Sequence, residues 1–156
     1  MMFAPGPGPD THACRIALSS AFKTLYAAAM NGFLLVALGG AIGASMRYGV
    51  GLAFTAHGGV SGAWATLFVN VVGSFILGAL MGWLASRELA LENTLWLLVG
   101  VGMMGAFTTF SAFSRDTVDM FMTGDAMKAV LFASLNMTGA IASFAVGLLA
   151  LKRLLS

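Results

Sequence analysis

The sequence predicts an all-α integral membrane protein of four transmembrane helices, and three observations lead there. Hydrophobic residues make up 59% of the chain and charged residues only 9%, with a mean hydropathy of +0.91. Soluble domains carry roughly 25% charged residues, so most of this chain cannot face water. Its apolar residues are gathered into four blocks, each long enough for the ~20 residues that a bilayer-spanning helix needs. The six acids, Asp10, Glu88, Glu92, Asp116, Asp119 and Asp125, fall in loops or near the block ends. An open sheet cannot satisfy its backbone in lipid, and the ~10-residue alternating segments of an outer-membrane barrel are not seen.

Residues 1–9, MMFAPGPGP, hold all three prolines and cannot form a helix or a core. Ala27-Ala28-Ala29 resembles a small-residue cleavage site, but Lys23 interrupts the apolar stretch before it and no soluble domain follows. Residues 1–29 are therefore expected to be a disordered extension, with Met30 as the start of a four-helix unit over 30–156.

The first span is predicted over 32–54 and the second over 64–85, joined by the loop Ala56-His57-Gly58-Gly59-Val60-Ser61-Gly62. A polar link with Arg87, Glu88, Glu92 and Asn93 precedes the third span, 95–122. Thr123-Gly124-Asp125 makes a turn, and the fourth span covers 129–151. Four spans and short loops use up the chain and leave no soluble catalytic domain.

Several functions are excluded at once. A net charge of +2 without a basic cluster gives no footprint for nucleic acid. His12 and His57 are too isolated for a metal or a catalytic pair, and the single cysteine, Cys14, allows no internal disulfide. No enzyme chemistry has residues to use. Proton-coupled transporters place an ionisable group at membrane depth, and no acid is expected there.

What the spans contain is glycine, hydroxyls, one deep amide and phenylalanine. Gly39-x-x-x-Gly43 and Gly78-x-x-x-Gly82 permit close helix approach. Asn70 lies inside the second span, with Gly73 and Ser74 on its face; a buried amide must either bond another helix or face a wet path. In the third span, Gly100 to Phe113 puts glycines and consecutive threonines at mid-membrane, which weakens the helix. A break near Gly105–Thr108 would free backbone carbonyls, which suit a bare cation. Beyond it, Phe110 and Phe113 share a face at i, i+3; their ring edges carry partial positive charge and can meet an anion, although an isolated pair would read as packing.

Three stretches together carry a resemblance: GGAIGASMRY (39–48), TLFVNVVGSFILG (66–78) and GAFTTFSAFS (105–114). In order and spacing they resemble the Fluc, or CrcB, family of fluoride channels, over residues 31–151. The resemblance implies an antiparallel homodimer in the cell inner membrane, with two fluoride pores and a sodium ion on the two-fold axis. It further implies that Asn70 lines the pore, that Phe110 and Phe113 touch fluoride by their edges, and that Ser111 lines the far half of the path. Gly105 and Thr108 would hold sodium through their main-chain carbonyls, and Arg47 would attract anions near a vestibule. Ala112 departs from the family, where threonine is common. On the fourth span Ser134, Asn136 and Thr138 compete for the pore-facing position. The expected function is passive fluoride export that protects the cytoplasm. The competing readings are a small multidrug-type antiporter, which needs an embedded glutamate, and a membrane scaffold that transports nothing.

Overall fold

The structure, a computed structural model, describes residues 11–56, 62–89 and 93–155, with side chains from Ala29 onward. Every regular element among them is helical. In chain order these are α1 (Thr11–Ala56), α2 (Gly62–Ser86), a π-wound helix (Trp96–Met104), a single turn α3 (Gly105–Phe107), α4 (Phe110–Met122) and α5 (Ala126–Leu155). Four helical stretches are long and apolar enough to cross a membrane: Ala29–Ala56, Gly62–Ser86, Trp96–Met122 and Ala126–Leu155. They match the four predicted blocks to within a few residues at each end. The loop at 57–61 and the link at 90–92 lie outside the described residues.

The chain divides into two compact units, Met1–Leu34 and Leu35–Ser156. Helix α1 starts at Thr11, so it includes residues 11–29 of the expected extension. The last proline is Pro9, and the alanine-, leucine- and lysine-containing sequence after it consists largely of adequate helix formers.

In the second unit, glycine sets the helix spacing. A Cβ on Gly39 would run into the carbonyl of Leu98, and one on Gly43 into that of Met103, so α1 rests directly on the backbone of the π-wound helix. Gly78 meets the Phe144 carbonyl in the same way and Gly147 meets that of Phe75, which seats α2 on α5. The predicted turn after α4 is made by Gly124 at φ +85°, a left-handed conformation that glycine adopts without a Cβ penalty.

Among the described residues the buried apolar core is small, and most of it lies in two clusters. Ala63, Phe113 and Phe132 tie α2, α4 and α5 together. Val69, Met104 and Phe107 join α2 to the π-wound helix and α3. Leu38, Ile42, Trp64, Val118, Leu131 and Ile141 are exposed large apolar side chains. Such a surface is a liability in water; lipid or a second copy would cover it.

Candidate functional site

The third span changes its winding before it stops. Trp96–Met104 follows π geometry, and the Gly105 N–H is shared between the carbonyls of Gly100 and Gly102. After the short turn α3, Thr108 (φ −78°, ψ 157°) and Thr109 (φ −152°, ψ 118°) are extended, and α4 begins at Phe110. The interruption lies at Thr108–Thr109, at the C-terminal edge of the expected window. Glycine and β-branched threonine lower the cost of leaving the helix, but a break at membrane depth still needs partners for its backbone.

Asn70 supplies them. Its Oδ1 accepts the Thr109 N–H at 2.7 Å, and its Nδ2 donates to the Thr109 carbonyl at 3.1 Å. Nδ2 also donates to Asn136 Oδ1 at 2.9 Å, which links α2 to α5 through the same side chain. Thr109 then caps α4, its Oγ1 accepting the Ala112 N–H at 3.1 Å. Among the described residues, no buried side-chain nitrogen or oxygen lacks a partner.

This bonding has a second effect. In an unbroken α-helix the Thr109 N–H would close on the Gly105 carbonyl, and the Ala112 N–H on that of Thr108. Both donors are diverted, one to Asn70 and the other to the Thr109 hydroxyl. Gly105 and Thr108 thus each lose the helical donor to their carbonyl oxygen.

A cleft of about 300 Å³ opens beside the break, lined by Asn70, Ser74, Thr108, Thr109, Phe110, Phe113, Asn136, Met137, Ala140 and Ile141. The Phe110 and Phe113 rings stand 5.2 Å apart at 54°. Phe113 is 9% exposed, and its ring lies 5.8 Å from Phe132. Phe110 is 75% exposed on the open side. The predicted residues Asn70, Phe110, Phe113, Asn136 and Thr108 are therefore brought to one cleft.

Others are placed elsewhere. Ser111 is exposed, its hydroxyl 3.1 Å from that of Thr109, and it does not line the cleft. On α5, Asn136 is 4% exposed, whereas Ser134 and Thr138 both face outward, the Thr138 hydroxyl donating to the Ser134 carbonyl at 2.6 Å. Of the three, Asn136 is the one that lines the cleft. Arg47 lines a second cleft of about 460 Å³, together with Thr55, Thr66 and Arg115. Thr109 forms part of the wall of both clefts.

Two findings sharpen the sequence reading. Of the two roles open to the Asn70 amide, bonding to other segments is the one seen, its hydrogens going to Thr109 and Asn136. The uncommitted donors on this side are the Ser74 hydroxyl and the second hydrogen of Asn136 Nδ2, whose first reaches the Phe132 carbonyl at 3.4 Å. The acids were also expected to avoid the interior. Asp116 instead lies within the third span, six residues before its end and only 9% exposed. One of its oxygens accepts the Thr66 hydroxyl at 2.7 Å; the other accepts Arg115 Nε at 3.1 Å and Nη2 at 2.7 Å. Neither Thr66 nor Thr109 was singled out beforehand. Thr66 stands fifty positions from its partner, and no local pattern marks it.

Comparison with known proteins places the chain in a family. Residues 34–148 match the model of the family described as CrcB-like protein, Camphor Resistance (CrcB). A protein of Hyphomonas neptunium named fluoride-specific ion channel FluC is 44% identical over 125 residues, covering 80% of this chain and 98% of that relative. Proteins of the same name from Sphingopyxis alaskensis and Thermus thermophilus are 41% and 43% identical, over 80% and 67% of this chain and 98% and 82% of their own lengths.

Proposed function

The chain belongs to the CrcB-like family, and on that premise we propose that it is a fluoride-specific ion channel through which fluoride leaves the cytoplasm passively. The observation that carries the reading is the cleft at the interrupted third span, which Phe110, Phe113, Ser74 and Asn136 line together beside Thr108–Thr109. Fluoride is small and tightly hydrated, so a path must replace its water with closely placed donors. Hydroxyl and amide hydrogens do this directly, and ring edges add partial positive charge without a bulky head group. Asn70 acts one step back: it holds the break open and fixes Asn136 by its oxygen, leaving the Asn136 amide hydrogen for the ion.

The channel works, in this reading, as an antiparallel homodimer in the inner membrane. Phe110, three-quarters exposed in the single chain, is then covered by the second copy. The Gly105 and Thr108 carbonyls, relieved of their helical donors, fit a sodium ion at the dimer axis. Uncharged hard oxygens suit such an ion, and its charge would attract an anion across a low-dielectric wall. Arg47 collects anions at the neighbouring cleft.

Asp116 is the one observation that favours the competing proton-coupled antiporter. Both of its oxygens, however, are already engaged by Thr66 and Arg115. Purified protein in liposomes loaded with potassium fluoride separates the two readings. A fluoride electrode should record rapid release once valinomycin lets potassium follow, with no pH gradient required. No release, or release only when a pH gradient is imposed, would overturn the channel reading.

A further inference from the structure

The buried carboxylate raises a question of its own, since an acid beside an anion path should repel the ion the path serves. Asp116 is 9% exposed, whereas the side chain of its neighbour Arg115 is 74% exposed. Residues at i and i+1 do not face each other on a helix. The guanidinium has to fold back over the turn to place Nε and Nη2 on the same carboxylate oxygen, at 3.1 and 2.7 Å. The other oxygen is held from α2 by the Thr66 hydroxyl at 2.7 Å. The carboxylate is thus fixed inward at both oxygens, and the cation covers its outer side.

Arg115 also stands on a boundary. It lines the cleft of about 460 Å³ that holds Arg47, Thr55 and Thr66, and that cleft reaches Thr109 and hence the phenylalanine cleft. It equally lines a polar cleft of about 550 Å³ that contains Asp116, Asp119, Asp125 and Lys128. Among the described residues no acid lines the first cleft, while three line the second. Arg115 is the charged residue shared by the two walls.

We propose that Arg115 is the counter-charge that makes Asp116 compatible with anion flow, screening the buried carboxylate from the Arg47 cleft at the mouth of the ion path. The inference rests on the fluoride-channel reading and adds a positioning residue to it. The carboxylate anchors α4 to α2 through Thr66, and the guanidinium cancels its charge toward the path. Removing Arg115 leaves a net negative charge at the edge of the cleft through which fluoride passes to Thr109.

The test is fluoride efflux from liposomes at low and high concentrations of an impermeant salt. The wild-type protein reports on the channel reading itself, and only the variants report on Arg115. Arg115→Gln should slow efflux about tenfold at low ionic strength and approach wild type at high, because salt screens a charge near water. Adding Asp116→Asn to Arg115→Gln should restore efflux to within about twofold of wild type at low salt, since it removes the uncompensated charge. Arg115→Lys, which keeps the charge, should stay near wild type even if Arg115→Gln does not fold. The proposal fails if Arg115→Gln matches wild type at low salt, if the double variant is as slow as the single one, or if Arg115→Lys loses as much as Arg115→Gln.

Discussion

Phe110 and Phe113 stand side by side, but replacing them should have different consequences. Phe113 is packed against Ala63 and Phe132 in a buried cluster, and truncating a buried phenylalanine costs about 3–5 kcal/mol. Phe110 is mostly exposed in the single chain, so Phe110→Ala should cost the subunit little stability. Efflux should nevertheless fall by more than tenfold in Phe110→Ala while its thermal unfolding in detergent stays close to wild type. Phe113→Ala should lose both. Normal efflux in a well-folded Phe110→Ala would remove the ring edge from the mechanism. Asn70→Asp makes a complementary test. A carboxylate can still accept the Thr109 N–H but cannot donate to the Thr109 carbonyl or to Asn136. Each buried group left without its partner costs about 1–3 kcal/mol, more beside a charge. Efflux should stop and the melting temperature should fall. A fall in efflux with no loss of stability would show that Asn70 contacts the ion rather than bracing the break.

At the scale of the helices, two glycines on the same helix predict opposite outcomes. A Cβ at Gly43 collides with the Met103 carbonyl, one turn before the break, whereas one at Gly49 meets nothing within 4 Å. Gly43→Ala should lower both the melting temperature and efflux. Gly49→Ala should leave efflux intact and gain up to about 1 kcal/mol from helix propensity. Equal effects would mean that backbone contact with the π-wound helix does not hold the break in place. The same region shows what could be read from the residues and what could not. The spans are legible because four long apolar runs admit one solution in lipid. The break is legible to within a residue or so because Gly105 and the paired threonines are poor helix formers at mid-membrane. Its π winding is not, since i→i+5 bonding depends on how Gly39 and Gly43 let α1 settle on it. The choice of Asn136 over Ser134 and Thr138 needed the rotation of α5, which glycine contacts with α2 fix. Asp116 was misjudged because its burial depends on Thr66, a partner that no periodicity connects to it.

The whole molecule poses the question of orientation. Among the described residues, exposed leucine, isoleucine and phenylalanine far outnumber the few buried apolar ones, so the subunit requires an apolar surrounding such as lipid. With four spans, the N-terminus, the link between the second and third spans and the C-terminus share one side of the membrane. Lysine and arginine near the span ends set which side that is, and acids contribute little to the bias. The pairing of Arg115 with Asp116 and of Lys128 with Asp125 therefore does not remove them from the count. From Met30 onward, Arg87, Lys152 and Arg153 fall on the N-terminal side, against Arg47, Arg115 and Lys128 on the other, three against three. Arg15 and Lys23 in the preceding residues change this to five against three. A chain without a charge bias has no strong reason to insert one way, and an antiparallel pair made from one sequence needs both orientations. A reporter fused to the C-terminus of a form beginning at Met30 should be found on both faces of the membrane. Adding three lysines at that C-terminus should drive it to one face and lower efflux, because partners of the opposite orientation are then missing. If the balanced form already points only one way yet still releases fluoride, the antiparallel arrangement is wrong, and the carbonyls of Gly105 and Thr108 would lose the symmetric counterparts that a central sodium site needs.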